Sequence, residues 1–181
     1  MLKSIIHFFR SRKIKKNTQH DRMPQFPDLQ MNPAVTIFVD DNQKSSIKEM
    51  ENFVKESMKI RRIRFVILTE FIKDDFLQTD TMFFIEKNDF GKLGLLKKEK
   101  EAFLKSFQDM ILINLSNNNE NLLNDYIVSC IDSKFKIGHS NTNMKLHDLV
   151  IDYGIEKNDV ERLKILFKYL LMLFSKAFMK L

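Results

Sequence analysis

Glycine is scarce in this chain: Gly91, Gly94, Gly138 and Gly154 are the only four in 181 residues. Phosphate-cradling loops of the GxGxxG or GxxxxGK[ST] type need several glycines close together, so neither is present. Cysteine occurs once, as Cys130. That excludes an internal disulfide and a cysteine-rich zinc site, and fits a reducing cytoplasm. The four histidines, His7, His20, His139 and His147, do not pair at a metal-binding spacing such as HExxH. Tryptophan is absent, and the three prolines all fall in residues 17–33, which read as an extended linker. Long apolar runs are missing too. Residues 165–174 are broken by Lys168 and are too short to cross a bilayer. Residues 1–16 are shorter still in apolar content and lack a small-residue cleavage site, which argues against a secretory signal.

Charge is present but uneven. The net charge of +6 comes from the start of the chain, where Lys3, Arg10, Arg12, Lys13, Lys15 and Lys16 stand without an acid. The rest of the sequence carries 24 acidic groups and as many basic ones. The high isoelectric point therefore describes an arm, residues 1–16, and not a basic face spread over the fold. In the arm, Leu2, Ile5, Ile6 and Phe9 recur at steps of three and four, and the pattern then turns basic. One reading is an anchor on an anionic membrane surface or a protein partner. The other is a solvated tail, or a helix packed loosely on its own domain.

The centre of the chain is residues 109–138, with an apolar strand-like run, a polar cluster, a helical pattern at Leu122, Leu123, Tyr126, Ile127 and Cys130, and a second short run ending at Gly138. This is the size of a βαβ unit. A similar unit precedes it: a strand over 34–39, a helix opened by a Ser46–Glu49 capping box, and a strand over 63–68. A short strand over 82–85, a glycine-containing loop, a helix over 96–107, a strand over 146–153 and a long helix from Val160 complete the series. The alternation predicts an α/β, Rossmann-like, doubly wound domain over 34–181, with a mostly parallel sheet of five or six strands and flanking helices.

The stretches IFVDD, KNDFGKLG, DMILINLS, FKIGHSN and HDLVIDYG, in this order, resemble an uncharacterised family of small bacterial proteins known only as a domain of unknown function. A basic N-terminal helix is typical of that family. The resemblance implies no activity. DMILINL and FKIG also bear a weaker likeness to the N-terminal half of heptosyltransferase-type GT-B glycosyltransferases, without the second domain that binds the sugar nucleotide.

Ligands of open α/β sheets sit outside the carboxyl ends of the strands. The residues predicted there are Asp40, Asp41, Glu70, Asn114, Ser116, Asn117, Gly138, His139, Ser140 and Asp152. Asp40 with Asp41 suits a divalent cation, or a plain strand-end turn and cap. Ser116 to Asn119 suits an anion at a helix N-terminus, or plain capping. Gly138 is expected to open a tight turn at positive φ. His139 suits a general acid or base, since a free imidazole has its pKa near neutrality, but it lacks a partner at any recognisable motif spacing. Cys130 falls on an apolar stripe and reads as core. The phenylalanines follow core periodicity, which argues against single-stranded nucleic-acid binding. No catalytic residue, metal or cofactor is assigned. The sequence favours a non-enzymatic, cytoplasmic module whose basic arm serves a membrane surface, such as the inner membrane, or a protein partner. Its alternative is a small ligand-binding protein or enzyme using the strand-end crevice, for a nucleotide or sugar-nucleotide-like anion.

Overall fold

A computed structural model of the chain describes residues 2–18, 23–70, 79, 81–116, 122–140, 143–152 and 157–178. The chain starts with helix α1 (Leu2–Thr18), then alternates β1 (Val35–Asp40), α2 (Ile47–Glu56), β2 (Ile63–Leu68), β3 (Met82–Ile85), α3 (Lys98–Lys105), β4 (Ile111–Asn114), α4 (Leu122–Cys130), β5 (Phe135–His139), β6 (Leu149–Ile151) and α5 (Asp159–Phe178). All six strands are parallel, in the order β3-β2-β1-β4-β5-β6. This is a doubly wound sheet. The chain builds outward from β1 to β3, returns to pair β4 with β1, and builds outward again to β6.

That reversal explains which helix covers which face. One face is packed by Ile47, Met50 and Val54 of α2 and by Val160, Leu163, Leu166 and Leu170 of α5, against Val35, Ile37, Phe65, Ile113 and Ile137. The other is packed by Ile14 of α1, Leu104 of α3 and Tyr126, Ile127 and Cys130 of α4, against Phe38, Val66, Phe83 and Leu112. Alternate residues of β1, Val35, Ile37 and Val39 against Phe38, fall in opposite layers, as a period of two requires. Each fully buried aliphatic or aromatic side chain contributes about 1.5–3 kcal/mol relative to exposure.

Several boundaries differ from the sequence reading, each for a local reason. Ser46 makes no side-chain cap; a 3-10 turn, Asp41–Ser46, precedes α2 instead, and Gln43 Oε1 accepts from the Asp40 N–H at 2.9 Å. The return arm of a capping box is thus supplied by Asp40-x-x-Gln43. Helix α3 is shorter than expected because Leu96 forms an antiparallel bridge with Phe90. Leu146 is not in the last strand. Asn143 Oδ1 accepts from the Lys145 N–H at 3.2 Å and holds a 3-10 turn, Met144–Leu146, so the strand starts at Leu149 and His147 lies outside it. Gly138 does not open a turn. It lies inside β5, paired with Val150, and the strand runs on through His139. Asn158 caps α5, its Oδ1 accepting from the Glu161 N–H at 2.9 Å.

The arm is helical through Thr18 and packed on the α/β body. Ile14 is buried, Arg10 Nε donates to Gly94 O at 2.9 Å, Lys13 pairs with Glu101 at 2.8 Å, and Asn17 Nδ2 donates to Ser129 Oγ at 3.1 Å. Gly94 has φ +70°, and a Cβ there would stand 2.6 Å from Ile6 Cγ2. A glycine is what allows this loop both its left-handed backbone and its approach to α1. The segment read as a linker touches the sheet as well: Gln25 N–H donates to Lys134 O at 3.2 Å, and Phe26 packs against Phe135 with ring centroids 5.2 Å apart.

Candidate functional site

The switch point of this sheet lies between β1 and β4, whose C-terminal ends carry Asp40 with Asp41 and Asn114 with Ser116. The topology therefore brings four of the predicted site residues to the place where doubly wound sheets bind ligands. Asp40 Oδ1 accepts from Asn124 Nδ2 of α4 at 3.2 Å. Asp41 points outward and pairs with Lys44, whose Nζ also donates to Thr69 Oγ1 at 3.0 Å. The two neighbouring carboxylates thus have different partners. No group of three or more His, Cys, Asp or Glu side chains suited to a metal ion occurs among the described residues.

Asn114 and Ser116 bond each other. Asn114 Oδ1 accepts from the Ser116 N–H at 3.2 Å and from its hydroxyl at 2.8 Å. Asn114 Nδ2 stands 3.4 Å from His147 Nε2, while His147 Nδ1 is 3.0 Å from Asn143 O. A carbonyl can only accept, so Nδ1 carries the proton and Nε2 accepts from Asn114. Asn117 and the rest of that polar cluster, Asn118 and Asn119, lie outside the described residues.

His139 stands two strands away from β1 and belongs to a different group. It is 3% exposed, its Nε2 is 3.5 Å from Asp152 Oδ1 and 3.5 Å from Ser140 Oγ. Burial pushes its imidazole below the ordinary value, Asp152 pulls the other way, and Arg162 adds to the depression. Glu70 is exposed at the end of β2. Gly138, as a strand residue, presents backbone only.

The residue that joins these groups was not predicted. Gln43, 2% exposed, sends Nε2 to Leu115 O at 3.0 Å and to Asp159 Oδ1 at 2.6 Å, so it ties the β1 loop to the end of β4 and to the start of α5. Asp159 in turn faces Arg162 Nη1 at 3.6 Å. The capping spacing Asp40-x-x-Gln43 was the available signal for Gln43. Nothing comparable marks Asn124 or Arg162. The glycine-containing loop after β3 is also pinned: Asp89 Oδ2 accepts from the Glu86 N–H at 3.0 Å and faces Lys100 Nζ at 3.4 Å, and the Leu96 N–H donates to Tyr126 Oη at 3.0 Å. Cys130 is buried, and burial pushes its thiol up to about 11, so it stays protonated at neutral pH.

A six-stranded parallel sheet in the order β3-β2-β1-β4-β5-β6, with helices on both faces and a polar switch point, defines a Rossmann-like α/β protein. Within that class, residues 7–173 match the model of a family of unknown function (DUF6913), and the chain belongs to that family. No curated protein and no solved structure matches it, so the likeness to heptosyltransferase-type glycosyltransferases is without support. No helix among the described residues is long and apolar enough to cross a membrane.

Proposed function

We propose that this chain is a non-enzymatic α/β module that docks on an anionic membrane surface through the outward face of α1. One observation carries the reading. With the inner face of α1 occupied by the domain, three large apolar side chains still face outward: Leu2, Ile5 and Phe8 are 65%, 40% and 59% exposed. Ile5, Phe8, Arg12 and Lys15 follow one another at steps of three and four, so apolar and cationic residues share one outer face, with Lys3 and Lys16 beside it. Such a face dips apolar groups into the headgroup boundary while each nearby cation adds about 1 kcal/mol on an anionic leaflet. The predicted partner residues divide accordingly. Arg10 and Lys13 bond the domain, Phe9 is half-buried beside Phe8, and Lys3, Arg12, Lys15 and Lys16 are exposed. The mutual bonding of Asn114 with Ser116, and of Asp41 with Lys44, supports a structural role for the strand ends. A free thiol at Cys130 accords with a cytoplasmic placement.

A second reading rests on the switch point. Asp40 and Ser116 sit where a nucleotide or sugar-nucleotide-like ligand would lie, at the ends of the two central strands. Vesicle flotation separates the two readings. The wild type is expected to float with phosphatidylcholine vesicles containing phosphatidylserine, not with phosphatidylcholine alone, and to release as salt rises. Phe8→Asp removes a contact of about 1.5–3 kcal/mol, a roughly ten- to hundredfold loss of partitioning. A wild type that ignores the anionic vesicles at low salt sinks the proposal. If such a protein gains thermal stability from a nucleotide or sugar nucleotide, the second reading takes its place.

A further inference from the structure

We infer that the cavity between the C-terminal ends of α1 and α4 is a binding site for a phosphate-bearing anion. The cavity has a volume of about 700 Å³, within the range of small-molecule sites. Five lysines from separate parts of the chain line it: Lys13 and Lys16 of α1, Lys105 of α3, Lys136 of β5, and Lys145 of the 3-10 turn before β6. Against them stand Asp132 and Asp148. Residues more than a hundred positions apart converge here because α1 runs down the outside of α4, with Asn17 Nδ2 bonded to Ser129 Oγ at 3.1 Å and to Cys130 Sγ at 3.6 Å.

The local charges do not cancel. Glu101 engages both Lys13 at 2.8 Å and Lys105 at 2.7 Å. Lys136 is buried and donates its Nζ to Val128 O, in the last turn of α4, at 2.9 Å. Lys16 and Lys145 take part in no ion pair among the described residues. The ends of α1 and α4 bring about half a negative charge each, which offsets one lysine between them. Cys130 adds no charge while its thiol is protonated. Five lysines against Glu101, Asp132, Asp148 and the two helix ends leave about one positive charge, carried at the rim by Lys16 and Lys145. Ammonium groups act as point charges and reward the charge of the anion more than its shape, so a phosphate, which carries up to two charges and three acceptor oxygens, is the class this wall draws most strongly. A free phosphate compound and a lipid phosphate headgroup share that chemistry.

The site shares Lys16 with the edge of the outward face of α1 but takes neither Ile5 nor Phe8, and a soluble probe keeps the two apart. Thermal unfolding is followed with sodium pyrophosphate at constant ionic strength. The wild type is expected to show a saturable rise in Tm. Lys16→Glu with Lys145→Glu, both exposed positions, is expected to fold normally and lose the rise. Arg61→Glu with Arg62→Glu, in the separate cavity at the start of β2, keeps it. No rise in the wild type, or an equal rise in the Lys16/Lys145 variant, overturns the inference. Phe8→Asp leaves the rise unchanged, whatever the vesicles do. Where phosphatidic acid vesicles compete with pyrophosphate in the Phe8→Asp protein and the competition is lost with Lys145→Glu, which lies outside α1, the phosphate comes from lipid; a rise without such competition assigns it to a soluble compound.

Discussion

Where α2 and α5 cover the sheet, Ile47, Met50, Val54, Leu163 and Leu166 meet strand residues of the same apolar kind, and polar groups such as Gln43, Asp159, Arg162 and His139 gather at the strand ends. The first face has Lys44 over Phe84 at 5.7 Å, but where α1, α3 and α4 cover the sheet cations recur along the contact. Arg10 lies over Phe90 at 5.6 Å, Lys100 over Phe83 at 4.7 Å, and Arg64 over Phe107 at 3.9 Å while also bonding Asp109 at 3.0 Å. Contacts of the second kind contribute about 0.5–1 kcal/mol each when partly exposed, and salt weakens them. Both faces hold fully buried apolar side chains, and the first is covered by helices whose inner sides are apolar away from the strand ends. The second is one onto which a polar, partly exposed helix can be added.

Breaking the first face gives the largest expected effect. Leu163→Ala removes a fully buried side chain of α5 and should cost about 2–5 kcal/mol in urea unfolding. An effect below about 1 kcal/mol means that α5 is a passive cover, and the contrast between the faces fails. Gly94→Ala tests the second face. It forces a side chain into positive φ and toward Ile6, so a loss of about 1–2 kcal/mol is expected, together with faster proteolytic removal of α1. Unchanged protease resistance of α1 would show that Gly94 does not hold the helix in place.

The smallest effect concerns pH. His139 is held below its ordinary pKa in the folded protein, so the unfolded chain takes up the proton first as pH falls. Its contribution to stability is complete above the unfolded value of about 6.5 and is lost as pH drops through that value toward the folded one. His139→Asn should flatten the fall in stability below neutrality. Asp125, raised by burial and partly relieved by Asn143, has the opposite sign and is common to both proteins, so the difference between them reports His139. Identical pH profiles would exclude this histidine as a source of acid sensitivity.

The sequence made the elements legible where one face was uniformly apolar. Val35 to Val39, Phe65 to Ile67 and Ile111 to Ile113 read as buried strands because both their faces are covered. The spacing of Ile47, Met50 and Val54 read as a helix on one layer. The strand order was not legible, because nothing local to β4 says that it returns to β1. Gly138 was misread because a glycine signals backbone freedom without saying whether a turn or a strand uses it. Leu146 was misread because one bond, from the Lys145 N–H to Asn143, outweighs the apolar run that follows. On α1, the stripe Leu2, Ile5, Ile6 and Phe9 looked like a single face. Docking divided it, since the loop at Gly94 takes Ile6 and leaves Ile5 outside. The candidate site was legible by position, through Asp40 and Asn114 at strand ends, but its closure by Gln43 depends on three segments that meet only in the fold.

The hydrogen bond between Asn17 and Ser129 spans 112 residues of sequence. During synthesis at roughly 5–20 residues per second, α1 leaves the ribosome roughly 6–20 seconds before the helix it rests on. Until the Gly94 loop and then α4 follow, the face with Ile6, Arg10 and Ile14 is as bare as the one with Ile5 and Phe8. Its seat on the domain thus waits for residues made far later in the chain.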